Sequence, residues 1–336
     1  MRLLRLEDGG KVSPVEFIDD DIPRYAILSH TWGSDDEEVT YKDLVDGTGT
    51  SKAGYTKIRF CGKQAANDSL QYFWVDTCCI DKTSSSELSE AINSMFRWYH
   101  NAAKCYVYLP DVSVNSSIEN PSSLQPWKPI FRLSRWFTRG WTLQELLAPT
   151  SVEFFSAEGE RLGDKRSLWQ EIHEITGISI QALQGSPLSQ FDVGERMSWA
   201  EKRETKRKED MAYCMLGIFD IHMPLIYGEG REKAFIRLRK EIECSSRDEA
   251  PALSLKRLSM HTDLSKRQEG MMTLHLPYVQ ILIRQLITLL GLCHSNETNA
   301  LLVTSPCLRI LSRCYSWKVK PQRSRSWGLV GWVRRS

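Results

Sequence analysis

Between residues 25 and 111, short apolar runs alternate with amphipathic stretches, and this alternation limits the fold more sharply than any other feature of the chain. Residues 25–31 (YAILSHT) are short and mostly apolar, and they run into Trp32-Gly33 and an acidic turn from Ser34 to Glu38, which suits a buried strand. In residues 55–70, Ile58, Cys61, Ala65 and Ala66 recur near helical spacing. Residues 72–80 (YFWVDTCCI) then form a second run rich in aromatic and β-branched residues. Ser84, Ser85 or Ser86 can cap a helix whose Leu88, Ile92, Met95, Phe96 and Tyr99 share one face. Residues 105–109 (CYVYL) are a third strand, stopped by Pro110-Asp111. Strand, helix, strand, helix, strand with short joints predicts an α/β fold, a parallel sheet wrapped by helices. Such sheets bind ligands beyond the carboxyl ends of their strands.

Residues 115–126 are rich in Ser, Asn and Pro and read as a loop. Residues 131–147 place Leu133, Trp136, Phe137, Gly140, Trp141, Leu143 and Leu147 largely on one side of a helix, which Pro149 ends after Ala148. A further strand is expected at 152–155. Helical patterns follow at 169–175, 208–219 and 231–242, the last two separated by Met223-Pro224 and the turn Gly228-Glu229-Gly230. After about Ser245 the patterns lose definition, and the chain has no internal repeat. The expected organisation is a lead-in at 1–24, an α/β core at 25–155, a helical C-terminal extension packed on it at 156–245, and a variable basic tail at 246–336.

The net formal charge of +2 conceals an asymmetry. Beyond the last acidic residue, Glu297, stand only basic ones, Arg309, Arg313, Lys318, Lys320, Arg323, Arg325, Arg334 and Arg335, so the rest of the chain is mildly acidic. An acidic body argues against a nucleic-acid footprint on the main domain. The tail offers charge for RNA or an anionic membrane, with a solvated end as the plainer reading. The most apolar stretch, 274–293, contains His275, Pro277 and a central Arg284, which favours an amphipathic or core segment over a membrane span. The nine cysteines form no secreted-type framework, and Glu7 and Asp8 interrupt the N-terminal apolar stretch, so a cytoplasmic protein with reduced thiols is expected. Cys78-Cys79 has no second pair at zinc spacing, so no metal site is expected.

The glycines form neither GxGxxG nor a P-loop, which argues against a dinucleotide-binding dehydrogenase or an NTPase. Ser29 and His30 are consecutive, so on a strand they point to opposite faces and cannot serve as nucleophile and base. His30 at the strand end suits a ribose or phosphate, and Trp32 suits a stacked base; alternatively both pack the loop. Asp76, inside or at the end of an apolar run, needs a partner or a cleft to carry its charge. Asp81 reads equally as a site residue and as a structural cap for the following helix. Glu145 stands one helical turn after Trp141, so the two face the same way and the indole can wall a pocket beside the carboxylate; the alternative is a surface Glu paired with Arg139. Arg139 is the nearest cation for a pyrophosphate.

YAILSHTWG at 25–33, WVDTCCIDK at 74–82 and RGWTLQELLAP at 139–149 together resemble the signature blocks of the fungal heterokaryon-incompatibility (HET) domain family, and residues 209–230 resemble the segment that usually follows them. The resemblance covers roughly residues 1–245. It implies a role in non-self recognition between fungal strains and in programmed cell death. The family is also similar to Toll/interleukin-receptor (TIR) domains, some of which hydrolyse NAD with a Glu in a W-x-x-x-E-L pattern, met here by Trp141, Glu145 and Leu146. Carried over residue by residue, Glu145 becomes the catalytic carboxylate and Ser29 the serine of the first-strand motif, with Asp76 shaping the pocket. On that enzyme reading Asp76 is grouped with Glu145 and Ser29 as a candidate catalytic residue, and His30, Trp32, Asp81, Arg139 and Trp141 are the candidates for holding the nucleotide. NAD would be a substrate and no cofactor is implied, because one carboxylate near the ribose stabilises the oxocarbenium-like centre. The resemblance further implies homo-oligomers, since neighbouring subunits complete such sites, and an upstream recognition protein. The alternative is a TIR-like module that oligomerises and signals without chemistry.

Overall fold

The computed structural model describes residues 1–7, 9–18, 21–115, 125–245, 315–317 and 332–334. The chain divides into a unit of Met1–Lys256 and a second of Arg257–Ser336. In the second, two short strands, Tyr315–Trp317 and Trp332–Arg334, pair antiparallel. Residues 274–293 and most of the basic tail lie outside the described residues, as do 116–124 of the loop.

The first unit is built on a seven-stranded sheet: β1 (Arg2–Leu6), β2 (Val12–Glu16), β3 (Tyr25–His30), β4 (Tyr72–Trp74), β5 (Lys104–Tyr108), β6 (Val152–Phe155) and β7 (Arg161–Asp164), in the order β2-β1-β4-β3-β5-β6-β7. The central strands β4, β3, β5 and β6 are parallel, while β1, β2 and β7 run antiparallel at the edges. Chain order reverses at β3, which has β4 on one side and β5 on the other, so the topological switch lies at its carboxyl end. Every residue of β3 is buried, as expected for a parallel strand covered on both faces.

Around the sheet lie α1 (Tyr41–Asp46), α2 (Tyr55–Asn67), α3 (Asp76–Cys79), α4 (Ser85–Asn101), α5 (Lys128–Arg132), α6 (Thr142–Leu147), α7 (Trp169–Thr176), α8 (Ile180–Leu183), α9 (Val193–Ser198) and α10 (Asp210–Tyr213). Helix α2 covers one face: the Tyr106 hydroxyl donates to Asp68 Oδ2 at 2.5 Å, just past its end, and Phe60 packs on Phe155 with centroids 5.0 Å apart. Helices α4 and α6 cover the other, where Trp74 meets Tyr99 at 5.9 Å and the Cys105 thiol points to the Glu145 carbonyl. Strand alternation therefore assigns Ser29 to the α6 side and His30 to the α2 side.

Several expectations need correction. The 1–24 lead-in contains a hairpin, β1–β2, turned by Gly9 and Gly10 at φ +85° and +81° and docked on β4 with Leu3 and Leu4 fully buried. The 72–80 run is a strand only to Trp74; Asp76–Cys79 is a single helical turn, closed by the Cys79 amide donating to the Val75 carbonyl. The single helix expected at 131–147 is α5, a 3-10 turn at Arg135–Thr138, and α6. Leu133 is 83% exposed rather than on an apolar face, because Ser134 and the Arg135 amide bond to Asp111 and re-aim the chain. The helix expected at 208–219 is limited to α10 followed by turns, and 156–245 contributes β7 as well as helices. Ser84 is the cap of α4, accepting from the Glu87 amide at 3.3 Å. Cys61, Cys78, Cys79, Cys105 and Cys214 are buried thiols and Cys244 is exposed.

Candidate functional site

The carboxyl end of β3 carries two polar networks on its two faces. On the α6 side the Ser29 hydroxyl donates to Glu145 Oε2 and accepts from the Trp136 indole N–H at 2.8 Å. Ser29 and Trp136 are fully buried and Glu145 is 7% exposed. Burial pushes the Glu145 carboxyl up to about 8, with the Asp76 charge adding to it, while the hydrogen bonds from Ser29 and Tyr99 and the Arg203 charge pull the other way. A carboxyl so placed is mostly protonated at neutral pH. Ser29 thus has both its donor and an acceptor site engaged, which suits a positioning role rather than a nucleophile.

On the α2 side, Asp76 collects the polar groups. His30 Nε2 lies 3.0 Å from Asp76 Oδ1, the Trp32 indole N–H donates to Oδ2 at 2.9 Å, and Lys82 Nζ stands 3.8 Å from the same oxygen. Burial works to raise Asp76, but the charges of Lys82, His30 and Lys57 and the His30 hydrogen bond outweigh it and hold the carboxyl well below its usual range. The Lys82 ammonium sits 3.6 Å from the Trp32 ring centroid. Trp32 is therefore fixed at its N–H and covered on one face.

Beyond Trp32 opens a cleft of about 390 Å³ lined by Trp32, Gly33, Ser34, Asp35, Arg135, Arg139 and Lys206. The loop that supplies Arg139 is tightly held. Its carbonyl accepts from Arg203 Nη1 at 2.8 Å and the Thr142 hydroxyl at 2.9 Å, and the Gly140 amide donates to the Glu204 carbonyl at 2.9 Å. Gly140 fits closely there: a Cβ would stand 2.4 Å from Thr205 Cγ2, so Thr205 would have to shift to admit one. Arg203 is 4% exposed, and burial lowers its pKa to about 10.

The sequence-predicted residues thus separate into groups. Ser29 with Glu145, and His30 and Trp32 with Asp76, are brought together in two networks; Trp32 also shares the cleft with Arg139. Glu145 does not line that cleft, nor a groove of about 1430 Å³ beside the amino ends of β5 and β6 whose walls include Lys104, Val152 and Lys165. The Trp141 indole N–H points to Asp210 Oδ2 at 3.4 Å, and Asp210 also accepts from Tyr227 at 3.0 Å, so Trp141 anchors the 209–230 segment. Asp81 Oδ1 accepts from the Thr83 amide at 2.9 Å and its hydroxyl at 2.6 Å, a turn leading into α4. Among the described residues no cluster of His, Cys, Asp and Glu could hold a metal ion. Trp136, Lys82, Arg135, Arg203 and Lys206 contribute to these networks without having been assigned a site role from sequence. Arg203 and Lys206 sit in the charged run EKRETKRKED, which carries no periodic signal for which cation turns inward.

Residues 25–130 match the family model for Heterokaryon incompatibility protein (HET). Over these residues the chain is similar to HET domains. It is 60% identical over 243 residues to the vegetative incompatibility protein HET-E-1 of Podospora anserina, a match covering 72% of this chain. The matched region spans only 18% of that protein's length. No solved structure matches the chain. The HET-domain match covers Ser29, His30, Trp32, Asp76 and Asp81, while the RGW turn and Glu145 lie beyond it.

Proposed function

We propose that the chain acts in vegetative incompatibility, in non-self recognition and the cell death that follows it, and that its HET domain does so as a TIR-like unit that cleaves the nicotinamide–ribose bond of NAD. The incompatibility reading is supported by the HET-domain match and by the relative's name. The fold-level part rests on the parallel order β4-β3-β5-β6, with helices on both faces and the polar residues gathered at the switch point.

The observation that carries the chemical reading is a buried carboxyl, Glu145, held by Ser29 at the carboxyl end of β3, the strand that leads into Trp32 and its cationic cleft. The ribose carbon loses its bond to the pyridinium nitrogen, which leaves as nicotinamide, and water then adds to that carbon, giving ADP-ribose and a proton. An ionised Glu145 would stabilise the cationic sugar between these events. Because Glu145 is held protonated in this arrangement, nicotinamide release should rise with pH through about 8 and be abolished in Glu145→Gln. Absence of nicotinamide release at high protein concentration, including under conditions that force self-association, would count decisively against hydrolysis.

One observation favours a second reading, in which homo-oligomers of the domain pass a death signal without chemistry. Glu145 is enclosed by Ser29 and lines neither the cleft nor the groove. In that case Glu145→Gln keeps its killing activity when expressed in a fungal host, where hydrolysis would require that it be lost. Incompatibility itself is tested by the same assay with the unaltered chain: host viability should fall on induction, and unchanged viability would contradict the role. An upstream recognition protein would supply the trigger for oligomerisation.

A further inference from the structure

We propose that the cleft at Trp32 binds the phosphates of a nucleotide, and that Asp35 is the resident counter-ion of this site, giving up Lys206 when the phosphate enters. This deepens the nucleotide reading above but does not depend on hydrolysis.

The cleft is lined by three cations, Arg135, Arg139 and Lys206, against a single acid, Asp35. Lys206 Nζ is bound to both Asp35 carboxylate oxygens, at 2.6 Å for Oδ1, in an exposed pair. The two arginines differ from it. Among the described residues, neither guanidinium has a carboxylate, hydrogen-bond or ring partner, although both are attached to fixed backbone. The Arg135 amide is held by Asp111 Oδ2 at 2.8 Å at the carboxyl end of β5, and the Arg139 carbonyl is held by the buried Arg203. Two arginines rooted on an immobilised turn, without a partner of their own among the described residues, are available to a bidentate oxyanion such as phosphate.

The neighbouring Trp32 extends the match from a bare anion to a nucleotide. Its N–H is held by Asp76 and one ring face is covered by Lys82, so a stacked ring would take the other. A volume of about 390 Å³ falls at the lower end of the usual small-ligand range. The place is also the one at which an open parallel sheet collects ligands, beyond β3 where chain order reverses. Asp35 then has a definite role: its charge opposes an entering phosphate and occupies the third cation, and a bound phosphate releases it from Lys206.

Titration calorimetry on the full, unaltered chain tests this with ADP, inorganic pyrophosphate and adenosine as probes, none of which carries the nicotinamide–ribose bond. ADP should bind more tightly than pyrophosphate and roughly tenfold or more tighter than adenosine. The double substitution Arg135→Gln and Arg139→Gln should weaken ADP by roughly tenfold or more, and Asp35→Asn should strengthen it by about threefold or more. Failure of ADP to bind, equal affinity for ADP and pyrophosphate, indifference to loss of both arginines, or an Asp35→Asn variant that binds no better would each overturn the proposal. A chain that binds ADP in this pattern but releases no nicotinamide in its unaltered form would leave the site standing and remove only the hydrolase.

Discussion

Ser29 and His30 are neighbours in the chain, yet the two faces of β3 on which they lie give their carboxyl partners opposite charge states. On the α6 face, Glu145 meets a serine hydroxyl with indole and apolar walls around it, and burial dominates, so the carboxyl is held neutral up to about 8. On the α2 face, Asp76 is also largely shielded, but Lys82, His30 and Lys57 surround it and keep it ionised. The difference shows that burial decides a carboxyl's state where no cation stands close, as at Glu145, and is overridden where cations gather, as at Asp76. A pair of carboxyls pushed apart in this way is the usual physical basis for dividing acid and base roles in one site.

The largest effect expected from breaking this contrast is on the charged side. Asp76→Ala removes the acceptor shared by His30 and the Trp32 indole and leaves Lys82 without its anion, which should cost about 3 kcal/mol or more in urea unfolding. A loss below about 1 kcal/mol would mean that the Asp76 network contributes little to holding the strand ends together.

Next in size is the pH dependence, where the faces act with opposite sign. Glu145 has a folded pKa above its unfolded one, so the folded state binds the extra proton. Its stabilising contribution is complete below the ordinary carboxyl range and is lost as pH rises from there through about 8. Asp76 has a depressed folded pKa, so its contribution is present above the ordinary carboxyl range and is lost as pH falls below it. In unfolding measured across pH, Glu145→Gln should flatten the decline between the ordinary carboxyl range and about 8, by on the order of a few kcal/mol, and leave the acid limb below it in place. An unchanged decline across that window would show that Glu145 is not the group responsible.

Much of this arrangement was legible in the sequence because it depends on local pattern. The parallel strands were readable as continuous apolar runs, and Ser29 and His30 could be set on opposite faces by strand alternation alone. The N-terminal hairpin was missed although Gly9-Gly10 marks its turn, since Leu3 and Leu4 gain their burial only by docking on β4. The 131–147 helix was misread because an apolar spacing persisted through Leu133, while Asp111, distant in sequence, redirects the chain at Ser134. Trp141 and Glu145, one turn apart, turn out to engage different partners, Asp210 and Ser29. Arg203 was not legible at all: its burial follows from its carbonyl acceptors at 139 and 199 and from Thr142, none of them marked within its own charged run.

Ser29→Ala probes the neutral face with a smaller change. It deprives the Trp136 N–H of its acceptor and Glu145 of its donor in a buried site, so about 1–3 kcal/mol should be lost, with the decline on raising pH starting at the same place but extending to higher pH because a bond that favours ionised Glu145 is gone. If the decline ended at lower pH instead, Ser29 would be stabilising the protonated form, and the roles assigned to this pair would have to be reversed.

The smallest effect is expected at Asp81, and it tests where the charged network ends. Its carboxylate accepts from the Thr83 amide and hydroxyl, and its own amide donates to Glu87 Oε1 at 2.7 Å, so it shapes the turn before α4. Asp81→Ala should therefore lower stability only slightly, less than either Asp76→Ala or Ser29→Ala, and leave ADP affinity unchanged. Thr83→Ala and Asp81→Ala should be strongly non-additive, because each removes the same hydroxyl–carboxylate bond. A fall in ADP affinity in Asp81→Ala, with stability unchanged, would extend the Asp76 network past Lys82 and place Asp81 among the ligand-holding residues after all.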